Sequence, residues 1–221
     1  MPKPKGNNKK NVMPVFRIFC EGEKTEPYYI RGYVNNFHSD KRSIIVVENT
    51  NKNTPVQLVD VAVESKCGGH EADWIWVVYD RESEAKHSDS LHAEARKKAK
   101  DNNINIAFSN VCFEFWLLIH FEYTTAGYTS CDDLLHNSRL REKLSSIGIK
   151  DYEKGLPTLF DKLKDKVNDA MKNSEKLKIE IEKSAEKDKM MPHKINPYLD
   201  IHEMFIDMDN FINKRKSIRE A

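Results

Sequence analysis

The sequence predicts an α/β fold, with a parallel sheet of about four strands, helices on both faces, and a helical C-terminal extension. Two observations support this prediction. Over the first 122 or so residues, short apolar runs rich in β-branched and aromatic residues alternate with segments of helical spacing, a pattern typical of βαβ units. Beyond Tyr123 the apolar runs give way to long, highly charged segments that look helical. The length of 221 residues suits one domain of ordinary size.

Each predicted element follows from a local pattern. The strands are predicted at 15–19, 43–49, 73–80 and 104–110. The third, DWIWVVYD, is a near-continuous apolar run, as expected at the centre of a parallel sheet. Helices are predicted at 25–37, 53–66, 85–103 and 112–121, and a final amphipathic helix at 196–215. The first two begin with a Thr and a Pro in the first turn, which is typical of helix entry.

Composition and charge limit the classes of function. We expect a disordered basic arm at 1–13, an α/β domain at 14–122 and a helical extension at 123–221 that packs on it. Lys plus Arg number 36 and Asp plus Glu 35, so the net charge indicates no class of partner. No apolar run approaches the roughly 20 residues that span a bilayer, and no secretory signal is evident, which predicts a cytoplasmic protein without membrane contact. The four cysteines lie far apart, which predicts reduced thiols rather than a zinc site or a disulfide framework.

The stretch VFRIFCEGEKTEPYYI, residues 15–30, has two interpretations. Lys24 and Thr25 resemble the end of a phosphate-binding loop, whose glycines let backbone N–H groups surround phosphates. Here Glu23 and Ile18 occupy the two glycine positions of that motif. A carboxylate in such a loop would repel phosphate, so this interpretation fails.

The other interpretation is that the first strand delivers a carboxylate to a site. Glu21 follows the first strand, with Gly22 expected to allow a sharp turn, and Asp80 and Glu82 follow the third. In extended backbone, side chains two residues apart project to the same side, and parallel strands bind ligands beyond their carboxyl ends. Three carboxylates repel one another unless a cation joins them, and hard oxygen ligands suit Mg²⁺ or Mn²⁺. The alternative, that each is a loop carboxylate capping a helix, stays open.

Further candidates belong to the same edge of the predicted sheet. Glu114 opens the helix after the fourth strand, where a negative charge also stabilises a helix N-terminus. Ser109 and Asn110 end that strand and could orient a phosphate or a water, although both residue types are common in turns. Lys24 and Lys154 are candidates for neutralising a phosphate oxygen, or are plain surface lysines.

Taken together, these motifs resemble the RloB-like (AbiL-related) family. The resemblance runs in order over residues 14–212, through EGEKTEPYY, DRES, SNVCFEFWLLIHFE, YEKG and a late NP. Such proteins occur in bacterial restriction and phage-defence loci, typically beside an AAA-type or ABC-like ATPase. The family is similar in turn to the Rossmann-like Toprim fold of topoisomerases, primases and OLD-type nucleases, where a glutamate after the first strand and a D-x-D after the third hold Mg²⁺.

The resemblance implies a Mg²⁺-dependent nuclease that cuts DNA or RNA in an anti-phage or abortive-infection system, gated by the partner ATPase. Glu21 matches the first-strand glutamate, and Asp80 with Glu82 match the acidic pair, with Glu in place of the second Asp. An acidic residue is also implied at Glu114. The alternative is a non-catalytic Toprim-like binding module, or an adaptor that docks on the ATPase through its helical half.

Overall fold

The computed structural model describes residues 13–184 and 191–220. Its sheet has the strand order β2-β1-β3-β4-β5. Four strands pair in parallel, namely β1 (Phe16–Cys20), β2 (Ile45–Glu48), β3 (Trp74–Asp80) and β4 (Asn105–Asn110). The predicted α/β class with a parallel sheet is therefore confirmed, and the arrangement is consistent with a Rossmann-like or Toprim-like fold.

The central position of β3 follows from its composition. It pairs with β1 on one side and β4 on the other, and its residues from Ile75 to Asp80 are buried. One expectation was wrong: strands do not end with β4. The segment β5 (Tyr198–Leu199) pairs antiparallel with Ser109 and Asn110. Two residues are too few to show a strand period in the sequence.

Four helices follow the parallel strands: α1 (Thr25–Phe37), α2 (Pro55–Cys67), α3 (Asp89–Asp101) and α4 (Glu114–Leu118). The Thr54 side chain accepts a hydrogen bond from the Gln57 N–H at 3.3 Å and so caps α2. Because the chain goes from β1 to β2 and then back across β1 to β3, right-handed crossovers place α1 on one face and α2 and α3 on the other.

The later part of the chain completes the core. It forms α5 (Cys131–Asn137), α6 (Leu140–Ser146), α7 (Leu159–Leu163), α8 (Val167–Ser184) and α9 (Ile201–Glu220). The ring of Phe205 in α9 lies 6.0 Å from that of Tyr29 and 5.9 Å from that of Trp116. The division into a domain and an extension stays a prediction, and the proposed arm lies outside the described residues except for Met13. None of the described helices is long and apolar enough to cross a membrane.

Candidate functional site

A cavity of about 490 Å³ opens at the carboxyl ends of β1 and β3. Its lining includes six acidic and three basic side chains: Glu21, Glu23, Glu26, Asp80, Glu82, Glu114, Lys24, Lys86 and Lys154. With all nine ionised, the formal charge of the lining would be −3. Such a concentration of negative charge attracts cations.

The structure brings most of the sequence-predicted site residues into this cavity. Those that line it are Glu21, Lys24, Asp80, Glu82, Glu114 and Lys154. Ser109 and Asn110 are not in its described lining. Ser109 is fully buried in β4, and the Asn110 side-chain amide donates to the Ile195 carbonyl at 2.6 Å. The Asn110 side chain therefore contacts the loop that precedes β5, and the substrate-orienting role of both residues stays a prediction.

Asp80 ends the central strand and is 7% exposed. Its Oδ2 accepts a hydrogen bond from the Phe113 N–H at 3.0 Å. Its Oδ1 is buried and has no hydrogen-bond partner among the described residues. Burial, followed by the carboxylates of Glu26 and Glu114, raises the pKa of Asp80 well above its ordinary value. A buried acceptor without a partner calls for an explanation, and a bound ion is one of the few available.

Glu21 is the first residue after β1 and lies beside Asp80. Its Oε2 accepts from the Asp80 N–H at 3.4 Å, and its Oε1 lies 3.1 Å from Nε2 of His87. Burial raises the pKa of Glu21 to about 7, although the Asp80 N–H opposes this. Burial and then Lys86 lower the pKa of His87, which therefore stays neutral at pH values where Glu21 ionises. Sequence reasoning missed His87, which comes from the loop before α3.

Glu82 reaches the cavity by a different route from the one expected. The strand ends at Asp80, and Glu82 has a left-handed backbone with φ of 54°. The argument from extended backbone was therefore wrong for Glu82. Its N–H donates to the Val111 carbonyl at 3.0 Å, which holds the turn, and its Oε1 lies 2.8 Å from Nζ of Lys86. A left-handed conformation is uncommon for a residue other than glycine and is often found at functional sites.

Glu26 is a further carboxylate that sequence reasoning missed. It lies in the first turn of α1 and is 7% exposed. Burial raises the pKa of Glu26 to about 7. The Glu26 N–H opposes this rise, and the Glu114 carboxylate adds to it. The chain bends at residues 21–24, and a Cβ atom on Gly22 would overlap the Glu26 carboxylate, so Gly22 also provides space for that side chain. The sequence signal was present in Thr25-Glu26-Pro27, but an acidic residue in a first turn also has a purely local explanation.

Glu114 and Lys154 form a charge pair between a buried carboxylate and a half-exposed ammonium group. Glu114 is 1% exposed, and its Oε2 lies 3.4 Å from Nζ of Lys154. Its Oε1 accepts from the Tyr152 hydroxyl at 3.2 Å, and its Oε2 accepts from the Cys131 thiol at 3.1 Å. Burial disfavours the charged form of Lys154, but the Glu114 carboxylate and then the two nearby cysteines outweigh this and raise its pKa. Lys154 therefore remains a cation at neutral pH.

The turn that carries Lys154 is attached to the start of α1. The Gly155 N–H donates to Oγ1 of Thr25 at 2.9 Å. Gly155 has φ of 84°, and a Cβ atom there would lie 2.7 Å from Cβ of Lys24. Only glycine fits this close, left-handed approach. The contact explains how a YEKG motif distant in sequence joins the strand-end carboxylates.

Comparison with known proteins agrees with this geometry. A family model described as RloB-like protein matches residues 16–208, which is most of the chain. The chain belongs to the RloB-like family. The resemblance inferred from the sequence motifs is thereby confirmed, and every lining residue named above falls inside the matched range. A search of curated proteins and a search of solved structures each found no match.

In this RloB-like chain, two of the four cysteines meet at Glu114. The sulfur atoms of Cys112 and Cys131 and a Glu114 oxygen all lie within 4.8 Å of one another, and this group could hold a metal ion. Both thiols are free. The wide sequence spacing of the cysteines predicted no zinc site and gave no sign that this pair lies beside a carboxylate. Residues far apart in sequence become neighbours because α5 packs against α4.

Proposed function

We propose that this protein is a divalent-metal-dependent phosphodiesterase that acts on nucleic acid. The observation that supports the proposal is the buried Oδ1 of Asp80, which has no hydrogen-bond partner in the described part of the chain. It lies in a cavity whose carboxylates outnumber its lysines. Six acidic side chains line the cavity against three basic ones, so it is short of positive charge, and burial raises the pKa of both Glu21 and Glu26 to about 7. A divalent cation would correct this deficit and would use the free oxygen.

The donor set fits Mg²⁺ or Mn²⁺. Carboxylate oxygens are the ligands these hard cations prefer. In this proposal Asp80 provides Oδ1, and Glu21 and Glu82 provide the other ligands, with Glu26 as a further ligand identified from the structure. When bound, such a cation supplies an activated water and neutralises charge on phosphate oxygens.

The chain itself supplies fixed positive charge around the reacting phosphate. Lys24, just before α1, and Lys154, in the turn attached to the start of α1, both line the cavity. Because Glu114 keeps Lys154 protonated, we assign Lys154 an electrostatic role on the phosphate rather than a proton-donating one. We assign Glu114 a positioning role, since its carboxylate already has Tyr152, Cys131 and Lys154 as partners.

The cavity is accessible to a large substrate. The side chains of Lys154 and Glu82 are 51% and 28% exposed, so the cavity opens to solvent where a nucleic-acid backbone can approach. Membership of the RloB-like family supports a role in phage defence with a partner ATPase that gates the activity. DNA and RNA are both candidate substrates.

The test is a cleavage assay on the purified protein. Labelled single- and double-stranded DNA and RNA would be incubated with Mg²⁺ or Mn²⁺, with and without the neighbouring ATPase and ATP. We expect metal-dependent cleavage that Asp80→Asn abolishes. The matched control is Asp60→Asn, on the surface of α2 and distant from the cavity, which should cleave normally. Cleavage by Asp80→Asn at the wild-type rate, or none by the wild type under any condition, would favour the binding-module or adaptor alternative.

A further inference from the structure

We propose that Cys112, Glu114 and Cys131 form a second cation site, selective for a thiophilic divalent ion of the Zn²⁺ class. This site adjoins the cavity through Glu114, which lines it, and differs in chemistry from the carboxylate set around Asp80. Its existence does not depend on the nuclease activity proposed above.

The positions of the three donor atoms suit a small ion. Both sulfurs and a Glu114 oxygen lie within 4.8 Å of one another, and the Cys131 sulfur is 3.1 Å from Oε2 of Glu114. Ligands of tetrahedral Zn²⁺ sit about 2.0–2.3 Å from the ion, which places them roughly 3.5 Å apart. The distances between the donor atoms therefore need to shorten by about 1.3 Å at most for the ion to bind.

The donor types decide which cation binds. Thiolates select Zn²⁺ and other soft ions, whereas Mg²⁺ takes oxygen ligands and seldom sulfur. The two sites therefore discriminate between cations even though both contain a carboxylate. Three protein ligands also leave a fourth position open, as in zinc sites that exchange a water or another small ligand.

The surroundings balance the charge of such a complex. Two thiolates, one carboxylate and Zn²⁺ would carry a net charge of about −1, counting ligand charges in the usual way. The Lys154 ammonium, 3.4 Å from Oε2 of Glu114, would neutralise it. The Tyr152 hydroxyl donates to Oε1 at 3.2 Å and orients the carboxylate. Partners of this kind around the ligands are the usual support of a zinc site.

The two cysteines differ in access. Cys112 is fully buried, whereas Cys131 at the start of α5 is partly exposed. The ion would enter on the side of Cys131 and join α5 to the segment that precedes α4. We therefore expect binding to stabilise the full-length protein.

Cobalt titration tests the proposal with a readout that does not involve cleavage. Co²⁺ would be added to the full chain in excess Mg²⁺ and a phosphine reductant, while absorption is recorded. We expect one Co²⁺ per chain, with the near-ultraviolet charge-transfer band of a cobalt thiolate, displaced by Zn²⁺. The melting temperature should also rise with Zn²⁺.

The variants separate this site from the carboxylate set. Cys131→Ser should lose the band and weaken Zn²⁺ binding by at least about tenfold, the loss expected even from disturbing the surroundings of such a site. Cys67→Ser, at an exposed free thiol, and Glu21→Gln should keep both. Absence of the band from the wild type, or its persistence in Cys131→Ser, would overturn the proposal. Loss of the band in Cys67→Ser would also overturn it.

Discussion

Ionised Glu21 carries a free-energy cost in the metal-free protein. Its side chain is 11% exposed, and burial raises its pKa from an ordinary value of 4.5 to about 7. Because the folded state holds the proton more tightly, the stability that Glu21 contributes is present below its unfolded pKa and is lost as the pH rises through about 7. At about 1.4 kcal/mol for each pH unit between the two values, the loss is about 3 kcal/mol.

Glu21→Gln removes this titration and keeps the side-chain volume. In a chelator, the free energy of unfolding of the wild type should fall between about pH 4 and pH 8 by about 3 kcal/mol more than that of the variant. Other buried acids still titrate, so only the difference between the two proteins reports on Glu21. Urea denaturation at several pH values measures it. Glu23→Gln, at an exposed carboxylate of the same cavity, is the matched control and should follow the wild type.

Glu21→Gln also tests whether the charge of Glu21 is needed for Mn²⁺ binding. Mn²⁺ at about a hundred times its dissociation constant should stabilise the wild type by about 2.7 kcal/mol, and Glu21→Gln by much less. Parallel pH curves for the two proteins would refute the burial argument. A variant less stable than the wild type at about pH 8 would show that Glu21 is a structural anchor for His87 and the Asp80 N–H.

Three further predictions follow from the same geometry. Gly22→Ala places a methyl group on the Glu26 carboxylate, so Mn²⁺ affinity should fall by about tenfold; unchanged affinity in calorimetry would remove Glu26 from the ligand set. Lys154→Met leaves Glu114 buried without its cation and should lower the free energy of unfolding by about 1–2 kcal/mol, a reduced value because Lys154 is half exposed. Lys154→Arg should recover most of this, and equal stability of the Met variant and the wild type would contradict the pairing. Because the pKa values of Glu21 and Glu26 are about 7, Mn²⁺ affinity should decrease as the pH falls below about 7, and a flat calorimetric profile would contradict those pKa values.

Local sequence patterns predicted those features of the fold that depend on neighbouring residues in the chain. The bounds of α1 are those predicted, because Thr25-Glu26-Pro27 marks a helix start and the apolar spacing continues to Phe37. Parallel strands share an edge at their carboxyl ends, so Glu21 and Asp80 were expected to meet, and both line the cavity. That these two residues lie at one edge could be predicted from parallel strand pairing alone, whereas the direct neighbourhood of β1 and β3 came from the structure.

Other features depend on contacts that no local pattern reveals. Glu82 adopts a left-handed conformation because its N–H pairs with Val111, a partner in another loop. The side-chain amide of Asn110 donates a hydrogen bond to the segment that precedes β5. The strand β5 itself is too short to predict from the sequence. Cys112 and Cys131 become neighbours only after α5 packs on α4. In each case a contact with a residue distant in sequence determines the local arrangement.

The most direct test of the central claim is to locate the metal. Crystals grown with Mn²⁺ would be measured at the manganese absorption edge, and an anomalous difference map would be calculated. We predict a peak about 2.0–2.2 Å from Oδ1 of Asp80, with oxygens of Glu21 and Glu82 in the same shell. No peak at Asp80 with Mn²⁺ at saturating concentration, or a peak only at Cys112 and Cys131, would contradict the assignment of this cavity as a magnesium or manganese site.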